Sequence, residues 1–344
     1  MIVPITTLKL FGDYNNHIST EILVKAGQSS FYPVKFSRPS LFSRLHCASF
    51  FGIVEIVAGL VEAEDCDINQ TDCTGSSPLV WAALNGHEEA VKILLGRDDV
   101  NPDKPDKDGQ TPLLFATNNG HEEVVKILLG RDDIDPNKGD IVIGTPLSCA
   151  ILLGHEGIVE MLLGRDDVNP NTQTNTLGQT PLGLAAENGH EGVVKILLGR
   201  EDVSLDEPDW RDRTPLLYAA ENGHEGVVKI LLGQDGLSPD KPDWRGRTPL
   251  LWAAENGHER VAKILLGRDD INPDKPDETG QTPLSCAAKN GHEGVAKILL
   301  GRDDVNPDKP DNNGRTPLWW ATDGDHAGVI ALLPPPAPTT PSTA

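Results

Sequence analysis

A threonine or serine stands before Pro-Leu at Ser77, Thr111, Thr145, Thr180, Thr214, Thr248, Thr282 and Thr316. The interval is 34 residues at every step except Thr145 to Thr180, where it is 35. A fixed period of this length confines a chain to a repeat architecture. No unit so short buries a core alone, so each must stack on its neighbours.

Each phrase of the repeat has a local meaning. Thr followed by Pro starts a helix: the hydroxyl caps free backbone N–H groups, and Pro suits the first turn. The stretch PLLYAAENG (Pro215 to Gly223) reads as a short apolar helix closed by glycine. From His224, HEGVVKILLG reads as a second helix, with Val227, Val228, Ile230, Leu231 and Leu232 on one broad face. Gly233 ends it. The stretch that follows, like GRDDVNPDKPDKDGQ from Gly96 to Gln110, is rich in Asp, Pro and Asn and reads as turns. It projects as a hairpin-like finger and delivers the chain to the next Thr-Pro.

The pattern DxxGxTPLxxAAxxGHxxVVKxLL resembles the ankyrin repeat. Asp106, Gly109, Thr111, Pro112 and Leu113 followed by Gly120–His121 carry it once. Leu45–His46, Ala48, Gly52 and Ile56–Val57 read as a worn earlier copy. The expected fold is an all-α, ankyrin-type helical-repeat solenoid with β-turn or hairpin fingers. It forms one array of about nine repeats over residues 39–333, the first degenerate. Within residues 1–38, Ser19 to Gly27 resembles the second helix of a degraded copy, and the Pro/Thr-rich 334–344 reads as a disordered tail. The family's histidine after Thr-Pro-Leu survives only at His46, and Val80, Leu114, Ser148, Gly183, Leu217, Leu251, Ser285 and Trp319 replace it. Apolar packing is therefore expected to replace some of the usual polar links between repeats. The wording LHCASFFGIVEIV followed by GRDDVNPDKPD also resembles ankyrin arrays of filamentous-fungal proteins, often associated with NTPase modules of the NACHT type.

The formal net charge is −22. Such a surface repels phosphate backbones, which argues against nucleic acid as partner. No run of about 18 apolar residues is present to cross a membrane. The opening MIVPITTLKLFGDYNN lacks a basic n-region and a small-residue cleavage site, so the chain reads as cytoplasmic or nuclear. Five cysteines at irregular spacing show neither a disulfide framework nor a zinc knuckle, and Cys149 and Cys286 share one repeat position, as core filling would. Phosphate-loop, GxSxG, HExxH and paired CxxC motifs are missing, so no enzyme and no cofactor is expected. His87, His121 and their successors cannot share a metal, because stacked helices lie about 8–10 Å apart and a metal takes His nitrogen at about 2 Å. They are expected to make local hydrogen bonds. An EF-type calcium loop with Gly109 at its sixth position would need acids at Lys104 and Phe115. Pairs such as Asp98–Asp99 read as a solvated face.

Residues fixed by folding should recur in every copy, and those that vary are free for recognition. The variable places are the finger before each Thr-Pro and the end of the first helix, which in the ankyrin family line the concave groove that binds partners. Two fingers differ in kind, with Trp210, Arg211 and Arg213 in one and Trp244, Arg245 and Arg247 in the next. Glu187, Glu221 and Glu255 occupy the ends of first helices. The resemblance implies a non-catalytic module that binds a protein partner through groove and fingertips, with these residues as the site. The alternative is the ligand-sensing C-terminal arm of a larger fungal signalling NTPase. The last helix, HAGVIALL, carries no charge after His326, so weak self-association is expected at that end.

Overall fold

The computed structural model of the protein describes residues 42–140, 144–174 and 176–334. They hold eighteen helices and no strand. The helices form two compact units that divide between Asn169 and Pro170. The first unit carries α1 (Arg44–Phe51), α2 (Val54–Val61), α3 (Pro78–Leu84), α4 (Glu88–Leu95), α5 (Pro112–Asn118), α6 (Glu122–Leu129), α7 (Pro146–Leu153) and α8 (Glu156–Leu163). The second carries α9 (Pro181–Asn188), α10 (Glu191–Leu198), α11 (Pro215–Glu221), α12 (Glu225–Leu232), α13 (Pro249–Glu255), α14 (Glu259–Leu266), α15 (Pro283–Lys289), α16 (Glu293–Leu300), α17 (Pro317–Asp323) and α18 (Ala327–Leu332). The readings of residues 1–38, of the varied finger positions 141–143 and of most of the tail lie outside the described residues.

The Thr-Pro phrase works as its chemistry predicts. The Thr248 hydroxyl accepts from the Leu251 N–H at 3.2 Å, and Pro249 takes the first helical position. Such a cap contributes about 1 kcal/mol. Within a unit, first helices pack on first helices and second on second: α11 lies between α9 and α13, and α12 between α10 and α14. The core of this layer is Leu216, Leu217, Ala219 and Ala220 with Val227, Val228 and Leu231, all fully buried. Its stripe is narrower than the sequence implies. Ile230 and Leu232 are only half-buried, because at 3.6 residues per turn they fall on either edge of the face that Val227, Val228 and Leu231 define.

The histidines bond locally through their backbones, as His258 N–H does to the Ala253 carbonyl at 2.9 Å, but their rings reach further. His258 Nε2 lies 2.9 Å from the Glu221 carbonyl oxygen of the preceding repeat, and His87, His121, His224, His292 and His326 make the same reach across 37 residues. The Gly-His turn explains the geometry. Gly223 has φ +75°, and a Cβ there would come within 2.6 Å of the His258 ring. Glycine therefore supplies both the left-handed turn and the space for the next repeat's imidazole.

The link made by the histidine after the cap survives at His46, whose Nε2 lies 3.1 Å from the Ser76 carbonyl oxygen, while Val80, Leu114, Leu217 and Leu251 at the equivalent positions are buried apolar packing. Other polar links between repeats remain, and the connector carries many of them. Arg97 Nη1 donates to the Val61 carbonyl at 2.8 Å, and Arg131, Arg268 and Arg302 repeat the bond to Leu95, Leu232 and Leu266. Lys241, Lys275 and Lys309 donate to the carbonyls of Asp206, Asp240 and Asp274 in the repeat before. The fingers are turns whose backbones bond in series: Trp244 N donates to Arg211 O, Glu278 N to Arg245 O and Asn312 N to Thr279 O, at 2.8–3.0 Å. The one isolated bridge among the described residues joins Asp140 and Gly144. Of the acidic pairs, the second member is no free solvated charge: Asp99 holds Arg97 at 2.6 Å, and Asp133, Asp270 and Asp304 hold their own arginines in the same way.

Candidate functional site: the tryptophan–arginine fingertips

The two unusual fingers, residues 209–213 before α11 and 243–247 before α13, are built around a buried aspartate. Asp209 Oδ1 accepts the backbone N–H of both Arg211 and Arg213 at 2.8 Å. Its Oδ2 accepts from the Tyr218 hydroxyl at 2.7 Å and from Arg213 Nε at 3.1 Å. Asp243 repeats the arrangement with Arg245 N, Arg247 N and Arg247 Nε, each at 2.9 Å. A short side chain that binds its own backbone two and four residues on fixes the turn. Burial would push the Asp209 carboxyl up; the donors from Tyr218, Arg213 and Arg211, with the Arg213 charge, outweigh it and hold the group below its ordinary range.

This geometry separates the sequence candidates into two kinds. Arg213 and Arg247 are held down, only 13% and 19% exposed. Their guanidinium carbons stack 4.4 Å from the Tyr218 ring and 3.8 Å from the Trp252 ring. Arg213 also reaches Glu221 at 3.5 Å, and Arg247 reaches Glu255 at 4.0 Å. They brace the fingers on the helices, so their variation between repeats does not mark them as free. Glu187 accepts from Gln179 Nε2 at 2.7 Å. Burial raises the Glu221 carboxyl above its usual range, against the pull of Arg213.

Trp210 and Trp244 remain 71% and 52% exposed. Each ring rests against a neighbour. The Trp210 ring lies over Gly178, where a Cβ would come within 2.6 Å of its Nε1. Trp244 carries the Arg245 guanidinium 4.5 Å from its ring centroid. Arg245 also lies 4.0 Å from Glu278. Arg211 is exposed, and its guanidinium makes no ion pair or hydrogen bond with the described residues.

Arg211, Arg213, Glu221, Trp244, Arg245 and Arg247 come together around a surface depression of about 300 Å³. Trp210, Glu187 and Glu255 are not among its lining residues. The depression also includes Trp252, which the sequence reading missed. A signal for it exists: wherever arginine precedes the Thr-Pro, an aromatic follows five residues later, as in Arg213 and Tyr218, Arg247 and Trp252, Arg315 and Trp320. Arg315 stacks on Trp320 at 4.0 Å, so the pairing recurs.

Other chemistry finds little footing. Cys149 and Cys286 are buried, and burial pushes the Cys149 thiol up to about 12 and the Cys286 thiol higher still, so neither supplies a thiolate at neutral pH. Among the described residues no group of three His, Cys, Asp or Glu is placed to hold a metal ion. No helix among them is long and apolar enough to cross a membrane.

A family model described as ankyrin repeats matches residues 45–140, 143–209, 204–277 and 270–338. No curated protein matches the sequence.

Proposed function

The chain belongs to the ankyrin-repeat family, whose repeats serve as protein–protein interaction modules, and from that premise we propose that it binds a protein partner through the fingertips that carry Trp210 and Trp244. The observation that carries this reading is the pair of large aromatic rings left more than half exposed on successive fingers, flanked by the free Arg211 and by Arg245. Trp and Arg dominate interface hot spots because they join a large apolar area to directional donors. Glu221 and Glu255 lie next to the braced arginines and supply the acidic side of the same surface.

The test is a double substitution, Trp210→Ala with Trp244→Ala, against a partner captured by proximity labelling. The finger ladder runs through backbone N–H groups, so the fold survives. Affinity should fall by about 2 kcal/mol or more, roughly thirtyfold. Unchanged affinity in a variant whose circular dichroism is native places the binding surface elsewhere.

A further inference from the structure

The depression beside Trp244 is rich in donors and poor in acceptors. Four guanidinium groups and one carboxylate line it. Arg213 and Arg247 have their own partners in Asp209 and Asp243, but Arg211 has none and Arg245 only a distant one in Glu278. The Trp252 indole N–H is a further donor. It is buried with no hydrogen-bond partner. At the same position Trp320 Nε1 is likewise buried without a partner, whereas Trp81 Nε1 donates to Asp72 Oδ2 at 2.9 Å and the Tyr218 hydroxyl to Asp209 Oδ2 at 2.7 Å. Asp209 Oδ2 accepts both Arg213 and the Tyr218 hydroxyl, whereas Asp243 Oδ2 takes Arg247 and the Trp252 indole N–H is left without an acceptor. A buried donor without an acceptor is unfavourable by about 1–3 kcal/mol, so an acceptor that displaces the atoms covering it gains what the free protein lacks.

We propose that this depression receives a carboxylate side chain from an acidic segment of a partner protein, with Arg211 and Arg245 as its charged contacts, the Trp252 N–H as a neutral donor and Trp244 as the apolar wall. The proposal rests on the fingertip reading and gives it a chemistry. A carboxylate accepts two or more hydrogen bonds and matches the planar fork of arginine. Charge complementarity selects one acid and not a polyanion. Asp212, Glu255 and Glu278 stand around the arginines in a protein of net charge −22, so a nucleic-acid backbone meets repulsion on every side of the depression.

The experiment is a random-sequence peptide array probed with the full chain, followed by titration of the selected peptides monitored by tryptophan fluorescence. Selected peptides should share an Asp or Glu next to an apolar residue. Replacing that acid with its amide should weaken binding about tenfold or more, as should Arg211→Ala with Arg245→Ala. Trp252→Phe, which keeps the ring under Arg247 and removes only the N–H, should weaken the acidic peptide and leave a counterpart with alanine in place of the acid unaffected. Added salt should loosen the acidic peptides only in part, because the pocket is partly screened from solvent.

Several results overturn the proposal: enrichment of basic or uncharged peptides, no enrichment at all, an oligonucleotide that binds as tightly as the peptides, or acidic peptides that ignore the double arginine variant. A dimer of the chain alone that Arg211→Ala dissolves overturns it too, by giving the depression to an acidic connector of a second copy. Peptides that need Trp210 and Trp244 but carry no acid end the carboxylate inference and leave the fingertip reading standing. Peptides that bind the double tryptophan variant unchanged end the fingertip reading itself.

Discussion

Asp212 occupies a position that other repeats give to glycine. Its φ is +57°, where Gly246, Gly280 and Gly314 have +79° to +85° at the equivalent place. Asp325, at +53°, replaces the glycine of the Gly-His turn in the same way. A side chain in the left-handed region is disfavoured by about 1–2 kcal/mol, less for Asp than for most residues. Asp212→Gly and Asp325→Gly should therefore each raise the denaturation midpoint, by about 0.5–1 kcal/mol of stability after the entropy glycine adds to the unfolded chain. That one of the two lies in the Trp210 finger, between two arginines, fits a surface kept for contact over stability. The opposite sign is expected in the core. Leu231 is fully buried in α12, and Leu231→Ala should lower stability by about 2–5 kcal/mol through the cavity it leaves. An unchanged midpoint would mean that the helix faces outward.

At the scale of an element, the connector is where the repeat makes its hydrogen bonds to the next. One position in it alternates between Asn and Asp. Asn69, Asn137 and Asn171 donate Nδ2 to the carbonyls of Asp99, Asp167 and Asp202 in the following repeat, at 2.6–2.8 Å. Asp103, Asp206, Asp240 and Asp274 hold the same position with Oδ1 buried and no partner. The other oxygen accepts a backbone N–H in both versions, as Asp103 Oδ2 does from Asp135 at 2.8 Å. Asp therefore keeps half of the rung and loses the other half. Asp103→Asn should restore it and stabilise the first unit by about 0.5–1.5 kcal/mol at neutral pH. Burial raises the Asp103 carboxyl, against the Asp135 N–H and the charge of Lys138, with Asp133 and Asp135 adding to the rise. A carboxyl raised on folding stabilises when protonated, and this contribution is lost as pH rises through the folded value. The advantage of Asp103→Asn over the natural chain should thus shrink as pH falls from neutral towards the ordinary carboxylate range. Denaturant titrations at several pH values test this; an advantage that grows on acidification contradicts the assignment.

At the scale of the whole molecule, a net charge of −22 is the dominant electrostatic fact. The exposed ion pairs within connectors, such as Arg97 with Asp99, contribute little singly and are screened by salt. Self-repulsion among the remaining acids is screened as well. With the repulsion larger, raising ionic strength to about 0.15 M, where the Debye length is about 8 Å, should increase the melting temperature. A fall would put the ion pairs in charge. Within each unit the stacked pairs should contribute additively, as repeat terms plus neighbour terms. The C-terminal end exposes Trp319, set edge-on to Trp320 with ring centroids 5.0 Å apart, and α18 buries Val329 while Ile330 and Leu332 stay half-covered. Sedimentation over a wide concentration range reads the self-association expected there, and a strict monomer removes it.

The sequence by itself determined the helical pairs, their caps and the period at which they stack, because these depend on bonds within a few residues and on a phrase written eight times. Thr248 and Pro249 start a helix wherever they are placed, and the Val227, Val228 and Leu231 stripe must be covered by something like itself. It also singled out Trp210, Arg211, Trp244 and Arg245, because they break a pattern that the other copies keep. What only the tertiary structure decided lies across repeats. His258 bonds to a carbonyl 37 residues back, and the connector arginines and lysines reach similar distances. Arg213 and Arg247 proved to be braces rather than fingertips, and Trp252 entered the depression from a helix that reads as plain core. No local pattern contains the distance between two residues a repeat apart in sequence. That distance is set when neighbouring repeats bury their stripes against each other, and the polar groups then bond to whatever the packing has brought within about 3 Å.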